Sequence, residues 1–186
     1  GLHLNYGVEP DLAVFGKAIG NGYALTAVIG KRDVMEYAQN SFISSTFWTE
    51  RIGPAASLKT LEVMNNIKSW KTITAIGNDI KRNWSTLFNS YGIDIEISGL
   101  PALATFNIPG PNALAYKTLV TQEMLKEGFL AGNTIYVCTE HKQIILDEYF
   151  SKLESVVKLI SECENGRSIT SLLEGPICHT GFKRLN

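Results

Sequence analysis

The part of the chain after residue 68 alternates long helical patterns with short apolar runs, and this alternation restricts its fold more than any other feature. Over 69–91 and 143–163, apolar residues recur every three or four positions, which is typical of helices with one buried face. Between these two helices the sequence predicts strands at 93–97, 103–108 and 134–138 and a helix at 113–127. Helices interleaved with strands predict an α/β fold, in which helices cover one face of a small sheet.

The first part of the chain has more loops and closely spaced glycines. Leu12–Phe15 is a short apolar run that predicts a buried strand, and residues 25–29 predict a second strand. A short helix is predicted over 32–39, and a longer, alanine-rich helix begins at Ile52. The change from a loop-rich first part to a second part with long periodic segments predicts two domains.

Composition indicates a folded chain without a strongly charged surface. The 186 residues are 45% hydrophobic and 19% charged, and 17 Lys and Arg against 18 Asp and Glu leave a net charge of −1. Such a balance gives no electrostatic reason to expect nucleic acid or an anionic membrane as a partner. No apolar run approaches the ~20 residues of a membrane span.

We place the two predicted domains over 1–68 and 69–186.

The three cysteines, Cys138, Cys163 and Cys178, are too widely spaced to form a CxxC motif. This spacing excludes a zinc ribbon, and no metal site is predicted. An odd number of scattered cysteines favours a reduced, cytoplasmic setting. The cysteines and His179 are assigned no role, and His141 is predicted to be a polar residue at the start of the last helix.

The segment DLAVFGKAIGNGY at 11–23 contains the residue with the clearest chemical potential. It places Lys17 two residues after a predicted strand, in a loop that turns on Gly20 and Gly22. Sites in α/β proteins gather where strands end, and desolvation of a lysine there frees its amine to act as a nucleophile. The segment is neither a P-loop nor the dinucleotide-binding fingerprint. From spacing alone, an ordinary surface lysine remains the alternative.

Two strings within residues 5–64 follow each other at a distance typical of one known family. They are YGVEPDLAVFGKAIGNGYALTAVIGKRDVME and SSTFWTERIGPAASLKTLEVM. They resemble the middle of class III aminotransferases, which are pyridoxal-phosphate (PLP) enzymes of fold type I. The family includes ω-amino-acid transaminases and glutamate-1-semialdehyde aminomutase. The resemblance weakens after residue 70 and returns around 125–153, where KEGFLAGNTIYVCTEHKQIILDEYFSKL resembles the family's C-terminal domain.

The resemblance implies roles for four residues. Lys17 matches the lysine that forms the Schiff base with PLP and carries the proton between the substrate Cα and the cofactor. Thr46 matches a threonine that binds the cofactor phosphate in the neighbouring subunit's site, and the adjacent Ser45 and Phe47 would belong to the same pocket. The resemblance further implies a homodimer with sites at the subunit interface. The substrates of the enzyme that the resemblance implies would be a small amine and a small carbonyl compound.

For the fold, the resemblance implies that residues 1–68 are the C-terminal part of the large cofactor-binding domain and end its sheet. Residues 69–186 would be a linking helix and a small C-terminal α/β domain. In the family, the aspartate that pairs with the pyridine nitrogen, the phosphate-binding turn and the aromatic residue stacked on the ring all precede the matched segment. We therefore expect this chain to be the C-terminal portion of an aminotransferase and to be inactive by itself.

Two other functions remain open. The first is an aminomutase of the glutamate-1-semialdehyde type, which moves an amino group within one substrate. Such family members tend to carry Pro-x-Gly and Gly-Gly-Arg after the lysine loop, where this chain has YALTA at 23–27 and IGKR at 29–32. The second is a non-catalytic structural or dimerisation fragment, and the intact Lys17–Gly22 loop argues against it.

Overall fold

The computed structural model describes residues 2–181, and the chain divides into two compact units, one ending at Lys68 and the other beginning at Ser69. The first unit contains strands β1 (Leu12–Phe15) and β2 (Ala27–Gly30), helices α1 (Arg32–Met35) and α2 (Ile52–Ile67), and 3-10 helices at Leu2–Tyr6, Lys17–Ile19 and Glu36–Asn40. The helix predicted over 32–39 is therefore a single α-helical turn that continues as a 3-10 helix.

An antiparallel pair of strands, β1 and β2, organises the first unit, with Leu12 opposite Gly30. At the end of the pair, the Lys31 amine lies 2.7 Å from the Asp11 carboxylate, and the Lys31 backbone N–H donates to the Asp11 carbonyl oxygen at 3.0 Å. The hydrogen bond from Lys31 holds the pKa of the Asp11 carboxyl below its usual value. These contacts close the end of the strand pair at Asp11 and Lys31.

The strand predicted at 12–15 is confirmed, but its predicted burial is wrong. Val14 is 74% exposed and Leu12 46% exposed. In the part of the first unit that the structure describes, β1 pairs only with β2, and no large apolar side chain is buried. A two-stranded sheet has two open faces, so apolar composition alone does not bury it.

The second unit carries the hydrophobic core. Its elements are α3 (Ser69–Ser90), β3 (Glu96–Ser98), β4 (Leu103–Asn107), α4 (Ala113–Lys126), β5 (Thr134–Tyr136), α5 (Gln143–Glu164) and a 3-10 helix at Ile169–Ser171. The three strands form an antiparallel sheet in the order β3-β4-β5. The predicted mixture of helices and strands is therefore present, and its sheet is antiparallel.

Helix α3 and strand β4 meet through aromatic side chains. Trp84 and Phe88 follow Ile80 at steps of four residues, and all three are fully buried. The ring of Phe106 on β4 lies 4.8 Å from the ring of Trp84 in an edge-to-face arrangement and 5.1 Å from that of Phe88. Such pairs add to the burial of apolar area, and they join the sheet to the helix.

Helix α3 ends where a glycine was predicted to terminate it. Gly92 has φ 71, and the Ile93 N–H donates to the Phe88 carbonyl oxygen at 3.1 Å. This hydrogen bond is typical of a helix end closed by a left-handed glycine. Ile93 is then buried in the core rather than in a strand. The strand predicted at 93–97 therefore begins only at Glu96.

Neither a membrane-spanning helix nor a metal-binding cluster is found among residues 2–181. No helix there is long and apolar enough to cross a membrane. No group of three or more His, Cys, Asp or Glu side chains in the same range is placed to hold a metal ion.

Candidate functional site

Lys17 is the second residue after β1 and begins the 3-10 helix Lys17–Ile19. Its backbone has φ 51, in the left-handed region that side chains other than glycine rarely adopt. The Gly20 N–H donates to the Lys17 carbonyl oxygen at 3.1 Å, and the Ile19 N–H donates to the Gly16 carbonyl oxygen at 3.3 Å. Because a lysine stays in this conformation only when its surroundings impose it, Lys17 is held in a strained position that marks a candidate site.

The rest of the loop explains why glycines occupy two of its positions. A Cβ atom added to Gly20, which is buried, would lie 2.1 Å from the Tyr23 carbonyl oxygen. Gly22 has φ 102, and its neighbour Asn21 also has a positive φ of 47. Gly20 is therefore required by a close backbone approach, whereas Gly22 is required by its own conformation.

The side chain of Lys17 is exposed, so the desolvation expected of it is not present in the first unit as described. Its amine makes no hydrogen bond or ion pair within residues 2–181. A lysine nucleophile is activated by desolvation, and the described residues leave this side chain open. The reaction that a primary amine in such a loop suits is Schiff-base formation with an aldehyde.

Ser45, Thr46 and Phe47 lie in the turn that precedes α2. The Phe47 N–H donates to the Ser45 hydroxyl oxygen at 3.2 Å, and the Trp48 N–H approaches the Ser45 carbonyl oxygen at 3.4 Å. All three predicted residues are exposed. In the described part of the chain no hydrogen bond or ring contact joins them to Lys17, so their place in one site stays a prediction.

Sequence reasoning missed Gly53 in the first turn of α2. It is buried, and an added Cβ atom would lie 2.5 Å from the carbonyl oxygen of Ala24, in the segment that follows the lysine loop. A glycine inside a helix is unfavourable relative to alanine, so its presence signals a close approach of another chain segment. That signal was available in the sequence, although the contacting residue was not.

A groove of about 410 Å³ lies on the β1–β2 pair, and Lys17 is not among the residues that line it. The groove is lined by His3, Leu4, Val8, Glu9, Pro10, Ala13, Phe15, Ile29, Gly30 and Lys31. Its walls are mostly apolar, so it is a surface suited to further packing rather than to binding a phosphorylated cofactor.

In the second unit, His141 lies two residues before α5 and accepts a hydrogen bond from the Cys138 N–H at its Nδ1, at 3.2 Å. It lines an apolar cavity of about 290 Å³ together with Leu130, Tyr136 and Tyr149. The contact to Cys138 gives His141 a structural role in closing the turn that leads into the helix.

Comparison with known proteins places most of the chain in one family. The family described as Aminotransferase class-III matches residues 2–156. The 3-aminobutyryl-CoA aminotransferase of Cloacimonas acidaminovorans is 32% identical over 123 residues, which cover 66% of this chain and 30% of that protein. The glutamate-1-semialdehyde 2,1-aminomutase of Sulfurihydrogenibium azorense is 24% identical over 172 residues, covering 83% of this chain and 40% of that protein.

Solved structures share the fold. The FumI protein of Sphingopyxis sp. MTA144, in its PLP internal aldimine form, superposes with a TM-score of 0.81 at 18% identity and covers 92% of this chain and 42% of its own. An omega-transaminase from Sphaerobacter thermophilus gives a TM-score of 0.76 at 16% identity, covering 85% of this chain and 40% of its own. At such identities the likeness establishes the mixed α/β fold.

The chain spans about two fifths of the length of most of these relatives, and 30% of the first one named. The matched region contains the Lys17 loop, the Ser45–Phe47 turn and α2, as well as most of the second unit. With the family matched over residues 2–156, this chain belongs to the class III aminotransferases.

Proposed function

We propose that the full-length protein is a PLP-dependent aminotransferase that moves an amino group from an amine donor to a carbonyl acceptor. Lys17 holds the cofactor through its amine and carries the proton that moves during the transfer. The observation that supports this most directly is the exposed, unpaired amine of Lys17 on a strained backbone at the end of β1. Membership of class III supports the same reaction.

The residues of the first unit fit the cofactor. An amine at Lys17 suits its aldehyde, and the hydroxyl groups of Ser45 and Thr46 suit phosphate oxygens, with Phe47 beside them. When bound, PLP withdraws electrons from the carbon that carries the amino group and so lets that carbon lose a proton. The Lys17 amine would be the base that accepts that proton and returns it during the transfer.

We also propose how the chain takes part in the whole enzyme. Residues 1–68 form the end of the cofactor-binding domain, and 69–186 form the linking helix and the small domain. The enzyme is a cytoplasmic homodimer in which Thr46 serves the neighbouring subunit's site. The 186 residues by themselves are catalytically incompetent, because the family's partner for the pyridine nitrogen is not among the matched residues.

A glutamate-1-semialdehyde-type aminomutase is the second candidate. The likeness to the aminomutase of Sulfurihydrogenibium azorense over 83% of the chain favours it. An assay of the full-length protein with and without a second carbonyl compound separates the two. An aminotransferase requires the second substrate, whereas an aminomutase turns over without it.

Covalent trapping tests the role of Lys17. The full-length protein is incubated with PLP, reduced with borohydride and digested, and its peptides are weighed by mass spectrometry. We expect the cofactor mass on the peptide that contains Lys17. The substitution Lys17→Ala removes that mass and lowers amino transfer by about 10²-fold or more, because both the attachment point and the base are lost.

Lys31→Ala is the matched control, since Lys31 is an exposed lysine of the same unit that is paired with Asp11. It should retain both trapping and transfer. Attachment of the cofactor at another lysine, or unchanged trapping in Lys17→Ala, would defeat the proposal. For the claim of incompetence, trapping and turnover by the 186 residues alone would be the contrary result.

A further inference from the structure

We infer that Gly53 is a positioning residue for Lys17: the first turn of α2 holds the lysine loop in place by packing on the backbone of the segment that follows the loop. The inference rests on the proposed role of Lys17 and adds a residue that acts through others. Gly53 lies far from Lys17 in the sequence, and its effect arises from contacts within the first unit.

The first contact joins α2 to the segment after the loop. Gly53 is buried, whereas its neighbours Arg51 and Ile52 are exposed. An added Cβ atom would lie 2.5 Å from the carbonyl oxygen of Ala24 and 3.4 Å from the Cβ of Leu25. A backbone oxygen cannot swing aside as a side chain does, so a larger residue at 53 must displace the 24–25 segment.

The second contact joins that segment to the loop. The Cβ of Leu25 lies 3.5 Å from the position of a Cβ added to Gly20, and the Tyr23 carbonyl oxygen lies 2.1 Å from the same position. The Tyr23 N–H donates to the Gly20 carbonyl oxygen at 3.1 Å. Leu25 is therefore packed against both Gly20 and Gly53, and a displacement of one is passed to the other.

The third contact reaches the lysine. The Gly20 N–H donates to the Lys17 carbonyl oxygen at 3.1 Å, which closes the 3-10 turn that Lys17 begins. Lys17 and Asn21 both have left-handed backbones; asparagine tolerates this conformation, whereas lysine rarely adopts it without a constraint from its surroundings. Gly20 is the buried residue between them. The packing of Leu25 between Gly20 and the first turn of α2 supplies the constraint that keeps Lys17 in its strained conformation.

The substitution Gly53→Ala in the full-length protein tests the inference. Alanine favours the helix more than glycine does, so a loss of function would not arise from weakening of α2. We expect a 10-fold or greater drop in the rate of amino transfer and in the rate of borohydride-trapped attachment at Lys17. We also expect a shift in the pH midpoint of the bound cofactor's visible absorbance, which reports on the group bonded to Lys17.

Gly175→Ala is the matched control, because a Cβ at Gly175 meets nothing within 4 Å. A second variant, Leu25→Gly, removes the Cβ packed against Gly20 and Gly53 without adding any atom. Leu25→Gly should shift the same pH midpoint of the cofactor's absorbance. If Gly53→Ala yields no folded protein, the result for Leu25→Gly tests the inference in its place. A purely structural effect would lower the melting temperature but leave the midpoint of the folded fraction unchanged.

The outcomes separate this inference from the proposed function. If wild-type protein traps the cofactor at Lys17 while Gly53→Ala, or failing that Leu25→Gly, behaves as wild type in trapping rate and pH midpoint, Gly53 has no positioning role. If wild-type protein does not trap the cofactor at Lys17, the proposed function itself has failed, and the positioning role fails with it.

Discussion

The indole Nε1 of Trp84 donates a hydrogen bond of 3.0 Å to the hydroxyl oxygen of Tyr149, and both side chains are buried. The bond joins α3 to α5 across residues that lie 65 positions apart in the sequence. It satisfies an indole N–H that would otherwise be buried without a partner. Because an unpaired buried donor is costly, this contact specifies how the two longest helices of the second unit pack.

We predict that Tyr149→Phe lowers the free energy of unfolding by about 1–3 kcal/mol, because it leaves the Trp84 N–H without an acceptor. Urea unfolding followed by tryptophan fluorescence measures the change. Tyr136→Phe is the control: that side chain is 78% exposed, and its loss should change stability by about 0.5 kcal/mol at most. Equal stability of Tyr149→Phe and wild type would mean that Trp84 finds another acceptor.

Gly77 is the position in the second unit where an added methyl group meets the backbone most closely. A Cβ there would lie 1.9 Å from the Pro101 carbonyl oxygen. We predict that Gly77→Ala destabilises the protein by about 1–3 kcal/mol through overpacking, although alanine is the better helix former. Asn78→Ala, at the exposed next position of α3, should be neutral or stabilising. Comparison of their urea midpoints is the measurement, and a stabilised Gly77→Ala variant would contradict the contact.

We predict that ionisation of the Tyr116 hydroxyl lowers the stability of the protein at alkaline pH. Burial, together with the hydrogen bond that its hydroxyl donates to the Glu164 carboxylate, raises the pKa of Tyr116 from 10.0 to about 12. Because the folded pKa lies above the unfolded one, the contribution to stability is complete below pH 10 and is lost as pH rises through about 12.

Unfolding of wild type and Tyr116→Phe across that interval tests this expectation. The phenylalanine variant is expected to be less stable at neutral pH, because it lacks the bond to Glu164, but to lose less stability between pH 10 and about 12. Tyr136→Phe, which removes an exposed phenol, should follow wild type. Parallel pH profiles for wild type and Tyr116→Phe would show that the group does not titrate as predicted.

Helices were the most predictable part of the fold, because their signal is local. The period of apolar residues over 69–91 predicts α3, and Gly92 marks its end correctly, since a left-handed residue is needed there. Strand boundaries are harder to predict from local patterns. The alternating residues at 93–97 read as a strand, yet Ile93 belongs to the core and the strand starts at Glu96. Pairing with β4 begins at Glu96, which lies opposite Asn107, and this pairing decides that boundary.

The candidate site divides in the same way. The Lys17 loop could be found from its motif, because a strand, a lysine and two glycines lie within a few residues of each other. Its strained φ and the packing of Gly53 on Ala24 could not be found, because each depends on a segment that the sequence does not show to be near. The joint placement of Lys17 and Thr46 stays a prediction for the same reason.

By itself the sequence determined the long helices, the lysine loop and the resemblance to class III aminotransferases, since each depends on short-range patterns of residue type. Only the tertiary structure decided that the sheet of the second unit is antiparallel, that Trp84 and Tyr149 are partners, and that the apolar residues of β1 are exposed. Burial and close contact are properties of segments far apart in sequence. Residue type determines the local conformation and the environment that a side chain favours, whereas the tertiary fold determines which residues it contacts.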